Sequence, residues 1–194
     1  MPRRRVERRG WAAIGLLAAV IVLLSLTPDV ATLRYERVLI LQQGEWWRLL
    51  TGHLVHANVH HLLLNLAGLA LVVALFPVEY SLAGWTVIVL ASVLAIDLGF
   101  VFLRPGLVWY VGASGVLHGV LAAGAIKWWR EQPRWLAAVL SAILLGKLTW
   151  EQTQGALPLS GSMPVIVDAH LFGAVGGACA GLALWARQRL VNSK

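Results

Sequence analysis

The chain has 194 residues, of which 59% are hydrophobic and only 13% charged, about half the charged share of an ordinary soluble domain. A mean hydropathy of +0.74 excludes a typical water-soluble globule, and one cysteine, Cys179, excludes a disulfide framework and the common cysteine-rich zinc modules. The net charge of +7 gathers in short clusters between long apolar runs. That is a pattern of membrane topology rather than of a nucleic-acid-binding surface.

Crossing a hydrocarbon layer about 30 Å thick takes about 20 apolar residues, and six runs approach that length. In chain order they are Trp11 to Leu26, His60 to Val78, Leu82 to Leu103, Leu107 to Ile126, Trp135 to Trp150 and Val165 to Trp185. The basic start is read as the flank of the first helix rather than as a leader, since no small-x-small cleavage site precedes Thr27 and Pro28. The longest connection, Thr27 to Val59, carries Glu45-Trp46-Trp47-Arg48 and several histidines, and its paired tryptophans suit the membrane interface. The fold class expected is an all-α membrane protein, a six-transmembrane-helix bundle.

Orientation follows from the cations. With the N-terminus inside, 11 of the 16 Lys and Arg fall in the cytoplasm: Arg3, Arg4, Arg5, Arg8, Arg9, Lys127, Arg130, Arg134, Arg187, Arg189 and Lys194. Both termini are therefore expected in the cytoplasm, with a basic segment over 1–10, a helical domain over 11–186 and a tail over 187–194.

Polar groups inside such helices cost free energy unless something satisfies them. The candidates are His60, His61 and Asn65 on the second run, Asp97 on the third, Ser114 and His118 on the fourth, Lys147 on the fifth, and Asp168 and His170 on the sixth. Counted along the helix from the cytoplasmic end, Asn65 stands 14 residues above Glu79, Ser114 13 above Lys127 and His170 15 above Trp185. At 1.5 Å per residue all three reach about 20 to 23 Å. His170, Gly173, Gly177 and Gly181 form one helical stripe, and Gly112, Gly115 and Gly119 flank Ser114 and thin its helix. The economical pairing brings His170 to Ser114 Oγ. Taken singly, each of these residues also serves as ordinary helix-packing glue; their shared depth is what suggests a serine hydrolase.

The motifs then resemble a known family. Trp47-Arg48, His56, His61-Leu62-Leu63-Leu64-Asn65, Gly112-Ala113-Ser114-Gly115 and Ala169-His170-Leu171-Phe172-Gly173 occur in the order seen in rhomboid intramembrane serine proteases, over about residues 45 to 185. Within that family the extended segment Gly112 to Gly119, with His118 in a place that is usually aromatic, is similar to the rhombosortase subfamily.

The resemblance implies a Ser114/His170 dyad. It also implies an oxyanion site from Asn65, His61 and the Ser114 backbone N–H, with Gly112 and Gly115 admitting substrate and His118 packing on the catalytic histidine. It implies no cofactor and no metal. The partners implied are the lipid bilayer and a membrane-anchored substrate with a C-terminal apolar helix, the location being the bacterial inner membrane. Subfamily substrates carry a tail of Gly-Gly, apolar helix and basic end; a general rhomboid protease acting on other single-span proteins is the alternative. Asp97 is expected to orient a site residue or to pair with Lys147. A remote rival is a histidine-ligated haem or metal protein, resting on the i, i+4 spacing of His56 and His60.

Overall fold

A computed structural model describes residues 2–27, 29–76, 80–158 and 165–192. Val78, Glu79 and Lys194, which enter the expectations above, lie outside the described residues, as does Pro28. The chain is predominantly helical, and it divides into two units: Met1–Val78 with Leu107–Ala113, and Glu79–Gly106 with Ser114–Lys194.

In the first unit, helix α1 (Pro2–Ser25) is followed by a 3-10 turn (Val30–Thr32), strand β1 (Tyr35–Glu36), and helices α2 (Arg37–Gln43), α3 (Arg48–Thr51) and α4 (Val59–Leu75). Gly44 closes α2 in the left-handed region at φ 74°, where a side chain would be strained. Asn58 caps α4 by accepting the His61 N–H at 2.8 Å. The connection is held by Arg48, which is buried: it pairs with Glu45 and donates to the carbonyls of Ala31 at 2.7 Å and Arg34 at 2.9 Å. A cation buried this deeply requires such a full set of acceptors. Trp46 and Trp47 beside it are 59% and 53% exposed.

Strand β2 (Trp109–Tyr110) pairs antiparallel with β1, Tyr35 opposite Tyr110 and Glu36 opposite Trp109. Here the expectation of a helix from Leu107 is corrected. Pro105-Gly106 breaks the preceding helix, the run Val108-Trp109-Tyr110-Val111 is rich in residues that favour extended backbone, and Gly112 has φ 119°. The Gly112 N–H donates to the Gly52 carbonyl at 2.9 Å, fixing the segment before a helix can begin.

The second unit holds α5 (Leu82–Phe102), α6 (Ser114–Glu131), α7 (Arg134–Gln154) and α8 (Val167–Asn192). The last two outrun their expected ends at Trp150 and Trp185. On α5 the buried face carries Ile88, Ser92 and Ile96, while Leu90, Leu94 and Leu98 at the same spacing are 55%, 58% and 47% exposed. A helix apolar on both faces suits lipid as its outer solvent. Among the described residues, Leu82–Phe102 and Val167–Val191 are long and apolar enough to cross a membrane, with mean hydropathies of 2.2 and 1.4, and Ile14–Ser25 and Val59–Leu75 are shorter apolar helices.

The α6–α8 seam is made of glycine. A methyl group at Gly173 would overlap the Gly115 carbonyl, one at Gly177 the Gly119 carbonyl, and one at Gly119 would strike Ser92 and the Gly173 carbonyl. Backbone rests on backbone at each level. Gly146 on α7, by contrast, has no heavy atom within 4 Å of where its Cβ would stand. Gly177→Ala should therefore destabilise the folded protein in detergent by about 1 to 3 kcal/mol through overpacking. Gly146→Ala should be neutral or stabilising by up to about 1 kcal/mol. Thermal midpoints of the two variants measured side by side check the contrast, and equal midpoints would dismiss it.

Candidate active site

Ser114 is the first residue of α6 and is half-buried; His170, in the first turn of α8, is buried. The glycine seam brings them together, with Ser114 Oγ 2.8 Å from His170 Nε2. That is hydrogen-bond distance between a hydroxyl and a ring nitrogen able to accept its proton. Gly115 is needed at the seam because a Cβ there would lie 2.8 Å from the Ala169 carbonyl oxygen.

His118, one turn on from Ser114, stacks on His170 with ring centroids 4.2 Å apart and an angle of 16° between planes. Its Nδ1 donates to the Ser114 carbonyl at 2.7 Å, which leaves Nε2 as the unprotonated nitrogen, buried and with no hydrogen-bond partner among the described residues. His118 thus packs on His170 as the resemblance implies, and is tied to its own helix at the same time.

The other nitrogen of His170 meets a group that the sequence reading passed over. His170 Nδ1 lies 2.8 Å from Oε2 of Glu151, a side chain only 3% exposed at the end of α7. Glu151 Oε1 is paired in turn with Lys147, one turn earlier on the same helix. Ending the fifth run at Trp150 left Glu151 outside the expected helix. The available signal was the i, i+4 spacing of Lys147 and Glu151 on one helix face. Asp168 points elsewhere, pairing with Arg104 at 3.0 Å. Asp97 is buried on α5.

His61, Asn65 and Gly112 belong to the first unit. A Cβ at Gly112 would stand 2.7 Å from the His61 ring, so a side chain there is excluded on space as well as on φ. Asn65 is buried, donates from Nδ2 to the His61 carbonyl at 2.9 Å, and keeps a second amide hydrogen uncommitted by that bond. His56 is buried in the loop before α4, bonded through Nδ1 to Ser25 Oγ at 2.9 Å and set edge-on to His61 at 4.9 Å.

The spacing used for a haem or metal site is not helical. Helix α4 begins at Val59, so His56 lies outside it, while His60 is exposed. Among the described residues, the group that could hold a cation is His118, Glu151 and His170, with ligand atoms within 4.8 Å of one another. Ligand atoms around a tetrahedral zinc stand roughly 3.3 Å apart, and the nitrogens and oxygens here are largely engaged in the hydrogen bonds just described.

The Rhomboid domain family model matches residues 43–187. No curated protein and no solved structure matches the chain.

Burial, and secondly the neighbouring His61, lower the pKa of His56 from 6.5 to about 4, with Asn65 opposing the shift. The unfolded chain therefore takes up a proton below pH 6.5 that the folded protein refuses until about pH 4, so stability falls with pH across that window, by up to about 3 kcal/mol. Denaturation of wild type and His56→Gln between pH 7 and 4 should show the wild type losing more. Parallel curves would refute the linkage.

Proposed function

The chain belongs to the rhomboid family of intramembrane proteases, and on that premise we propose that it is a serine endopeptidase of rhombosortase type, working through a dyad of Ser114 and His170. The observation that carries this reading is the 2.8 Å approach of Ser114 Oγ to His170 Nε2 inside the matched domain. The six long helices α1 and α4 to α8 cross the bacterial inner membrane with both termini cytoplasmic, a reading supported by the distribution of Lys and Arg.

As Ser114 Oγ bonds to the scissile carbonyl carbon, its proton passes to His170 Nε2 and the carbonyl π electrons move onto oxygen. Collapse of this intermediate breaks the C–N bond, and His170 returns the proton to the leaving amine. Water then attacks the Ser114 ester, giving one proton to His170, which passes it to Ser114 Oγ as that oxygen leaves. The product is a carboxyl terminus and the serine is restored. By the family pattern, the negative oxygen is met by the Ser114 backbone N–H, the Asn65 amide and His61. Gly112 and Gly115 admit the substrate strand.

The substrate proposed is an exported protein whose C-terminal tail has Gly-Gly, an apolar helix and a basic end. Positive residues after the helix keep that end in the cytoplasm and place the glycines near the outer surface. Glycine disfavours helix by about 1 kcal/mol per residue, which helps the strand unwind for attack. The rhombosortase assignment is supported by His118 stacked on His170.

Coexpression of a Gly-Gly-tailed protein with the intact enzyme should release its body outward with a cut near the outer end of the tail helix, as read by mass spectrometry. Ser114→Ala and His170→Ala should abolish release, and Leu-Leu in place of Gly-Gly should slow it. Turnover by folded Ser114→Ala would overturn the dyad, and unchanged processing of the Leu-Leu tail would favour a general rhomboid protease. Asn65→Ala removes one of several donors, so a loss of about 10- to 1000-fold in kcat is expected. Unchanged kcat would return Asn65 to helix packing.

A further inference from the structure

We propose that Glu151 is the third member of a Ser114–His170–Glu151 relay, a positioning residue that holds the imidazole of His170 in the tautomer and orientation that catalysis requires. This inference rests on the dyad reading above.

The geometry leaves His170 little choice. A base for Ser114 must present a bare Nε2, so its proton must sit on Nδ1, and that nitrogen needs an acceptor. Two groups approach it: Glu151 Oε2 at 2.8 Å and Lys147 Nζ at 3.5 Å. Lysine can only donate. An imidazole bonded to Lys147 would accept at Nδ1 and carry its proton on Nε2, facing Ser114 with the wrong nitrogen. The shorter contact goes to the carboxylate, and Glu151 thereby selects the useful tautomer over the one that Lys147 would favour. The remaining carboxylate oxygen holds the Lys147 ammonium, so the cation beside the ring is kept off Nδ1 by the same side chain. Together these give a chain of contacts from Lys147 through Glu151 and His170 to Ser114.

When Ser114 Oγ gives its proton to Nε2, the ring becomes a cation enclosed by His118 on one face and Lys147 at its edge. Among the described residues Glu151 is the anion bonded to the ring, and it stabilises that cation without itself taking the proton. Packing alone would be served by any apolar side chain of similar size, whereas a carboxylate 3% exposed is costly to bury. The rigid framework around it supports a directional role: α7 carries Lys147 and Glu151 on one face, and α8 is locked to α6 by the glycine seam.

The test uses the full-length protein in detergent with a fluorophosphonate probe, whose phosphorus bonds to Ser114 Oγ as fluoride leaves and His170 takes the serine proton. Glu151→Gln keeps the shape but replaces the anion with an amide. The rate constant for labelling and kcat on a tailed substrate should both fall by about 10²- to 10⁴-fold, while the final fraction of labelled protein and KM stay near wild type. A merely structural role would lower the labelled fraction instead and leave the rate of the folded remainder intact. Lys147→Met/Glu151→Gln removes the lysine left unpaired and carries the same test if the single variant does not fold. Wild-type labelling rates in either folded variant, with Ser114→Ala unlabelled, would overturn the relay and leave the dyad standing. Cleavage by Ser114→Ala would overturn both.

Discussion

The second unit depends on how closely two helix backbones approach. Gly115 and Gly119 of α6 meet Gly173 and Gly177 of α8 with no side chain between them. A larger residue at any of these positions pushes the axes apart, and the hydroxyl of Ser114 and the ring of His170 part with them. Both residues lie in the first turn of their helices, where the seam begins. The short polar contact is thus a consequence of missing side chains one and two turns further along. Polar chemistry in this unit is built on apolar, van der Waals complementarity, which does not weaken in lipid as the hydrophobic effect does.

How much of this was legible in the sequence differs from residue to residue. The meeting of Ser114 and His170 could be read because small residues at helical spacing announce a close approach, and because the motif order is specific. Glu151 was hidden by a single boundary: the fifth apolar run ends at Trp150, and one more turn of α7 was enough to bring a carboxylate inward. The segment 107–113 was misread for a different reason. Hydrophobicity counts apolar residues without saying whether the backbone is coiled or extended, and the strand partner, Tyr35–Glu36, lies more than seventy residues away. Only Gly112 and the aromatic and β-branched run before it pointed the other way.

The first unit solves a separate problem, that of fixing a long connection rich in backbone polar groups. Arg48 gathers two carbonyls and one carboxylate around a single guanidinium, so two stretches of chain, 31–34 and 45–48, are tied by one buried side chain. His53 packs edge-on to Tyr110 at 5.4 Å, and His56 is held by Ser25. The histidines crowded into 53–61 therefore work in different ways, as ring contacts, as loop anchors and as a wall against Gly112.

The late start of α6 carries one more consequence. An α-helix beginning at Leu107 would have spent the amide hydrogens around Ser114 on carbonyls one turn earlier. Beginning at Ser114, it leaves the amides of its opening turn without intrahelical acceptors, and the aligned peptide dipoles behind them concentrate partial positive charge at that end. Where Ser114 attacks a carbonyl as proposed, the negative charge developing on its oxygen gathers beside a field already in place, supplied by the backbone of that same opening turn. The glycine at 112, by refusing the helix two residues early, turns a boundary in the chain into an electrostatic asset.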